Sequence, residues 1–368
     1  MSAFEAYINE LRAAGASVAD AGDAINGISG YWVEKDGIRA YFYCSEKAGW
    51  ARFILDKSDK QNASTTISDT YVKGADDNIT FYMYGLDMLG DTGGTSMLAI
   101  LKLADNSLIL IDGGTEQQLA GNAGAHLNDF LHTITGTPAG QKVTVRAWVI
   151  THHHIDHGPG LITFFNSYHN QYDLQYMMGN MADMRAYYID FLSASKAYSY
   201  FPNLKLHRLH TGETIKLGGV EMDILYTLED SVIPTSASLA TTDDNDFSVQ
   251  YRFRFDGIKL HMTGDVSLGG ERAMMRMYDK TDLKTDIFQV PHHGYNNTVR
   301  LFEAANPSVT VFSSPKSVAV THTTVYQNVI NNTIGGEASC YFEGDETIGF
   351  SVVNGKIQVV YREKTYVG

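Results

Sequence analysis

The sequence predicts an α/β protein: two β-sheets packed face to face with helices outside, preceded by a small N-terminal α+β unit. Three observations point there. From residue 78 onward short apolar strands recur in two halves of similar kind, with helical stretches between them. Ahead of that point the texture differs, with an aromatic-rich hairpin and then a polar tract. The chain has 368 residues, 44% of them hydrophobic, which is enough for a large core and more than one typical domain length. Sheets of this kind must bury both faces, and a second sheet on one side with helices on the other does so.

The elements follow in order. Phe4, Tyr7, Ile8 and Leu11 recur at helical spacing and Gly15 stops the run, so residues 4–14 read as a helix. Gly30–Tyr43 and Trp50–Leu55 read as strands, and Asp36-Gly37 supplies a hairpin turn inside the first. Residues 57–77, rich in Ser, Thr, Asp and Lys, read as a linker, which places an accessory unit at 1–75 and the main domain at 78–368. In the main domain, strands are expected at Ile79–Tyr84, Ser96–Leu103, Ser107–Ile111 and Val143–Ile150, and helices at about 116–135, 159–170 and 180–195. The second half offers strands at Thr214–Leu217, Glu221–Tyr226, Phe247–Phe255, Ile258–Thr263, Ile287–Val290 and Thr310–Phe312. A helix at 324–331 and strands at 338–343, 347–353 and 356–361 close the chain.

Composition narrows the function classes. Lys and Arg number 28 against 42 Asp and Glu, a net charge of −14, so the chain repels phosphate backbones at long range and nucleic acid is an unfavoured partner. The two cysteines, Cys44 and Cys340, fit no C-x-x-C pattern and read as free thiols in a reducing compartment. The first residues lack a signal-peptide pattern, and no run of about 18 apolar residues suggests a membrane span. The expectation is a cytoplasmic protein acting on a small molecule.

Chemistry concentrates in Thr151-His152-His153-His154-Ile155-Asp156-His157-Gly158, directly after the apolar strand Ala147-Trp148-Val149-Ile150. Neutral imidazoles and a carboxylate are what a divalent metal such as zinc takes as ligands. His152 and His154 are two apart, so in an extended segment they point the same way. Asp156 and His157 lie where the chain turns into the next helix, within reach of a second ion. His153 points opposite to its neighbours and reads as structural.

This string and others in order resemble the metallo-β-lactamase superfamily. The resemblance covers roughly residues 78–368 and implies a four-layer αββα sandwich. The strand ending in Asp-Gly is Leu110-Ile111-Asp112-Gly113, His-x-His-x-Asp-His is complete at 152–157, Gly264-Asp265 follows a strand, and so does Pro291-His292-His293-Gly294. Within the superfamily, Asp286-Ile287-Phe288-Gln289-Val290-Pro291-His292-His293-Gly294 is similar to the hydrolase domain of the bacterial DNA-uptake competence channel and to bacterial phosphorylcholine esterase. Gly90-Asp91, Asn245-x-x-Ser248, His322 ahead of a short helix, and Gly344-Asp345-x-Thr347-Ile348 match the same branch.

The resemblance implies a binuclear site, most simply zinc, with manganese and iron as alternatives. His152 and His154 would hold one ion; Asp156, His157 and His293 would hold the other, with His292 as the alternative to His293; Asp265 would bridge them. Asp112 would orient a metal-bound histidine. The ions would share a water and lower its pKa so that hydroxide attacks the substrate, and His322 would protonate the leaving group. Asn245, Tyr295, Asn297 and Thr298 are candidate substrate contacts. Two features depart from the family pattern. No further histidine sits after a buried strand between 157 and 265, His207 and His210 being the candidates, and Tyr295 stands where the family usually has Ser. His154 stands where iron-binding flavoprotein relatives have Glu, which speaks against a redox role. The implied activity is hydrolysis of phosphodiester or phosphomonoester bonds in a small molecule. Nuclease activity, hydrolysis of carboxylic ester, lactam or thioester bonds, and a non-catalytic metal-stabilised binding module are the competing readings.

Overall fold

The structure is a computed structural model that describes residues 3–22, 25, 27–55, 67–74, 77–86, 95–180, 196–233, 238–239 and 243–367. Two sheets form its centre. One runs edge to edge through Lys205–Arg208, Tyr172–Gly179, Val143–Val149, Leu108–Asp112, Leu98–Lys102, Thr80–Met83, Glu346–Val353 and Lys356–Lys364. The other runs through Thr214–Leu217, Val220–Tyr226, Gln250–Phe255, Ile258–Met262, Ile287–Gln289, Val309–Phe312 and Cys340–Phe342.

Side-chain alternation along the strands explains the layering. Phe81, Met83, Ile109, Ile111, Ala147 and Val149 from the first sheet share a core with Met222, Ile224, Phe253, Leu260, Ile287 and Val311 from the second. The outward residues Tyr82, Leu108, Leu110 and Trp148 pack with Leu127, Phe130 and Leu131 of the helix Gly121–Thr135 and Phe164 and Phe165 of the helix Pro159–Tyr168. On the far side, Phe288 and Phe312 pack with the helices Leu268–Met277, Val299–Ala305 and Thr323–Asn332. The order is helix, sheet, sheet, helix, as the resemblance implies.

One irregularity positions the site. The pairing of Leu108–Asp112 with Val143–Val149 slips at Arg146, so Leu108 faces Val145 but Ile109 faces Ala147. A one-residue slip exchanges the faces of a strand. Val143 and Val145 therefore lie under the helices, and so do Trp148 and Ile150, while Ala147 and Val149 enter the sandwich. Arg146 is held at the slip by Asp105 at 2.6 Å.

The N-terminal helix Ala3–Ala13 lies beside a separate sheet of Ser17–Asp20, Ile28–Lys35, Ile38–Ser45 and Trp50–Leu55. Trp32, Tyr41 and Tyr43 are buried against the sandwich. Their polar ends are matched across the joint: Trp32 Nε1 donates to Glu213 at 3.0 Å, Tyr41 Oη to the Thr211 carbonyl at 3.0 Å, and Tyr43 Oη to Asp230 at 2.8 Å.

Several expectations shift. The strand expected from Phe247 begins at Gln250, because Asp244–Phe247 is a 3-10 turn in which the Asp243 side chain accepts from Asn245 N. Tyr172–Gly179 and Lys205–Arg208 are strands that the reading passed over, as are the helices Leu268–Met277 and Val299–Ala305. The first two are rich in Tyr, Met, Lys and polar residues, so apolar alternation marks them weakly. Inside the expected linker, Ser68 pairs in parallel with Lys216, since backbone pairing at a sheet edge needs no apolar side chain. The helix expected at 180–195 falls, beyond Asn180, outside the described residues. Cys44 and Cys340 are buried and free. No helix among the described residues is long and apolar enough to cross a membrane.

The joint also carries a buried ion pair. His210 Nδ1 donates to Glu229 Oε1 at 2.8 Å, and its ring stacks on Tyr41 at 4.7 Å. Burial disfavours charge on His210, but Glu229 outweighs it and lifts the imidazole above its ordinary 6.5. Burial likewise opposes ionisation of Glu229, and His210 overcomes it, holding the carboxyl below its ordinary 4.5. The histidine contribution is fully present below 6.5 and lost as pH rises through the raised value; the glutamate contribution is present above 4.5 and lost as pH falls through the lowered one. The Tm difference between wild type and Glu229→Gln is therefore largest between pH 4.5 and 6.5 and shrinks as the solution becomes alkaline. A difference that grows steadily to high pH would contradict this.

Candidate metal centre

The site forms where strands of both sheets end. Leu108–Asp112 and Val143–Val149 run parallel, and the chain leaves the second directly into Thr151–His157. From the other sheet, Ile258–Met262 leads to Asp265 and Ile287–Gln289 leads to His292 and His293. Two bonds stitch the sheets beside the site: Tyr251 Oη donates to the Ile150 carbonyl at 2.7 Å, and Val249 N to the Thr151 carbonyl at 2.9 Å.

Close approach dictates the residue types at the turns. A Cβ on Gly264, at φ +55°, would meet Ser248 and Thr151 at 2.9 Å, so glycine brings Asp265 against the histidine loop. Asp112, His292 and His293 hold positive φ without being glycine, at 57°, 48° and 56°. Such conformations cost of order 1 kcal/mol each and persist where surrounding bonds over-determine them. Those bonds are present: Asp112 is tied through its carboxylate, His293 through Ser313 and Ser314, and the His292 N–H donates to the Gly264 carbonyl at 3.1 Å.

Asp112 is the organiser. Its Oδ1 accepts from Thr151 N at 2.7 Å, and its Oδ2 accepts from Thr151 Oγ1 and from His157 Nδ1, both at 2.7 Å. The Thr151 hydroxyl, spent as a donor to Asp112, is left to accept from His152 Nδ1 at 3.1 Å. His293 Nδ1 donates to the Ser313 carbonyl at 2.9 Å. These bonds suit imidazoles with a proton on Nδ1, and they turn each Nε2 inward, where a metal could take its lone pair.

Those inward atoms surround one oxygen. Asp265 Oδ2 lies 3.2 Å from His157 Nε2, 3.4 Å from His293 Nε2, 3.8 Å from His152 Nε2 and 3.9 Å from His292 Nε2. Asp156 Oδ2 is 3.3 Å from His293 Nε2 and 3.8 Å from His157 Nε2. The Nε2 atoms of His152, His157 and His293, and Asp265 Oδ1, are buried without a hydrogen-bond partner. Two ligands on a tetrahedral zinc, each about 2.0–2.1 Å from it, stand about 3.4 Å apart. The donor set and its spacing therefore fit divalent cations. Asp156, His157, Asp265 and His293 form one group with ligand atoms within 4.8 Å of one another, and His152, His154 and Asp265 form another.

The carboxylates draw positive charge toward the centre. Burial works against charge on His157, yet Asp265, Asp112 and Asp156 lift it well above its ordinary value. Burial likewise opposes His293, and Asp265 with Asp156 lift it to about 10. Asp265 is held well below the usual carboxylate range by His157 and His293 despite its burial. His152, pushed well down by burial and by its neighbour His157, stays neutral. Burial pushes Asp112 up, while His157 and Thr151, which donate to it, pull it back.

Other expected residues separate. His292 is the more exposed of its pair and falls outside both groups. Tyr295 stands between His292, at 5.3 Å, and His322, at 4.4 Å, so these three rings form a row that starts beside the site. Asn297 Oδ1 accepts from Asn328 Nδ2 at 2.8 Å, and Thr298 is fully buried ahead of the helix Val299–Ala305 with its hydroxyl unpartnered. Asn245 sits in the Asp244–Phe247 turn with a buried, unpartnered Oδ1. His207 is bound to Glu213 and His210 to Glu229, both turned to the N-terminal joint instead of the metal groups. His153, expected to be structural, faces Asp244. Gly90-Asp91 lies outside the described residues. Thr151, Ser313 and Asp244 were missed: the first two act through a hydroxyl and a carbonyl that carry no sequence signature, and only adjacency to Asn245 could have singled out Asp244.

No family model matches the chain, and no curated protein matches its sequence. Solved structures that resemble it are metallo-β-lactamase-fold proteins. The metallo-β-lactamase-fold protein YhfI from Bacillus subtilis is 11% identical and aligns at TM-score 0.42 over 72% of this chain and 96% of its own. Unliganded yeast PDE1 is 15% identical, at TM-score 0.40 over 68% and 93%. A diphosphatase of the PhnP family is 15% identical, at TM-score 0.36 over 64% and 85%.

Asp112→Asn tests the organiser. The amide would present N–H groups to the Thr151 hydroxyl and His157 Nδ1–H, which both need an acceptor. Zinc affinity, measured by competition with a chelator, is expected to fall about 10–100-fold. Unchanged affinity in a folded variant would remove Asp112 from the assembly of the site.

Proposed function

We propose that the protein is a metal-dependent hydrolase holding two divalent cations, most simply zinc, and cleaving phosphodiester or phosphomonoester bonds of a small molecule. The observation that carries this is the convergence of three Nε2 lone pairs on Asp265, with the far side of each imidazole already bonded. Asp156, His157 and His293 would hold one ion, His152 and His154 the other, with Asp265 between them. Bound there, the ions would supply acidity for a water and positive charge against the substrate oxygens.

The chain's own residues do the rest. Asp112 and Ser313 hold the imidazoles in the tautomer that binds. Burial of His152, His157, Asp265 and His293 excludes water from the back of the site, while the partly exposed Asp156 and His292 mark the side from which substrate arrives. His322, set against Tyr295, would give a proton to the leaving group. The negative net charge favours small substrates over nucleic acid, which would need several basic contacts. Residues 1–75 are read as an accessory unit fastened to the hydrolase domain, residues 78–368, through Trp32, Tyr41 and Tyr43.

The test is metal content beside turnover of bis(p-nitrophenyl) phosphate, for wild type and Asp156→Ala. The wild type is expected to bind about two equivalents, and the variant to lose about a hundredfold or more in rate. Absence of bound metal, or turnover indifferent to Asp156, overturns the mechanism. Bound metal without phosphodiester turnover moves the reading to carboxylic esters or to a binding role.

A further inference from the structure

A second set of metal-ligating groups lies beside the first and opens to solvent. His153 Nε2 stands 3.5 Å from Asp244 Oδ2, and its ring meets that of His154 nearly edge-on at 5.3 Å. Ligand atoms of His153, His154 and Asp244 lie within 4.8 Å of one another. His154 also belongs to the inner group with His152 and Asp265, and its ring is 4.6 Å from that of His152.

Asp243 accepts from Asn245 N at 3.0 Å and from Ser267 Oγ at 2.7 Å. Asp246 accepts from the backbone N–H groups of Ser267, Gly269 and Gly270 at the start of the next helix. Both carboxylates build the turn. Asp244 faces the His153 imidazole, with its side chain 44% exposed. Exposure falls from Asp244 through the half-buried His154 to His152 and Asp265, which are 0% and 1% exposed.

A neutral imidazole has one lone pair to give, so His154 can serve one ion at a time. We propose that His153, His154 and Asp244 form an outer seat for a divalent cation that prefers nitrogen and oxygen ligands, from which the ion passes to the inner seat of His152, His154 and Asp265. Two imidazoles and a carboxylate suit zinc. The outer seat is the wetter of the two and binds more weakly, and His154 carries the ion between them by exchanging partners. This rests on the binuclear reading above.

The experiment is equilibrium dialysis of the whole protein against Zn²⁺, with metal counted by mass spectrometry and fold checked by circular dichroism. Wild type, His152→Ala, Asp244→Asn and the double variant are compared. Wild type is expected to hold about two equivalents. His152→Ala is expected to keep the second ion, weakened roughly tenfold or more, and adding Asp244→Asn removes it. If His152→Ala loses the second ion outright, or the double variant holds it as well as His152→Ala does, the outer seat is wrong. Asp244→Asn alone, which leaves the inner ligands intact, is expected to keep both ions but load the second about tenfold more slowly in stopped flow; an unchanged rate overturns the transfer even where His152→Ala fails to fold. A wild type that never takes a second ion instead sinks the binuclear reading, and the outer seat with it.

Discussion

The carboxylate of Asp112 is the constraint on which the site depends. It is fully buried, held at a positive φ, and it accepts from the Thr151 N–H, the Thr151 hydroxyl and His157 Nδ1. A buried carboxylate is costly unless its lone pairs are filled. Filling them fixes the Thr151 hydroxyl, which in turn fixes His152. One group thus sets the tautomers of two imidazoles that approach from different points of a loop. The loop's shape follows from that demand, since a loop of four histidines has no intrinsic preference for turning their lone pairs together.

The sandwich supplies the second half of the geometry. Asp265 and His293 come from the opposite sheet, and they meet His152 and His157 because the two sheets share a core and end at the same level. Gly264 permits the final approach, and Gln289 binds the end of its neighbouring strand by accepting from Thr263 N at 2.8 Å and donating to the Gly264 carbonyl at 3.2 Å. The slip at Arg146 matters for the same reason. It turns Trp148 under the helices, where its indole N–H reaches the Asp112 carbonyl at 3.0 Å, and so clamps the turn that carries the organiser.

Much of this was legible in the chain. His152, His154, Asp156 and His157 stand out because histidines and an aspartate crowded after an apolar strand have no packing rationale. Asp265 and the His292-His293 pair stand out through the resemblance, which expects such residues after strands. The short, nearly continuous apolar runs Ile79–Tyr84 and Ser107–Ile111 announce strands with two buried faces. Strands such as Tyr172–Gly179 and Lys205–Arg208 were hidden because Tyr, Lys and Met satisfy a half-buried pleat without alternating cleanly. The turn at Asp244–Phe247 was hidden because its acids bond to backbone N–H groups that only the fold brings near.

By itself, the sequence determined the layered α/β character, the histidine- and aspartate-rich segment that could hold a metal, and the acidic balance that disfavours nucleic acid. These follow from local periodicity and residue chemistry, which need no knowledge of distant contacts. Only the tertiary structure decided that His293 joins the ligand group while His292 stays at its exposed edge, since two adjacent histidines are indistinguishable until a backbone at positive φ aims them. It decided that His207 and His210 belong to the N-terminal joint, because Glu213 and Glu229 lie where those rings arrive. It decided, too, that His153 meets Asp244, a pairing across ninety-odd residues that depends on how two sheets and their loops close upon each other.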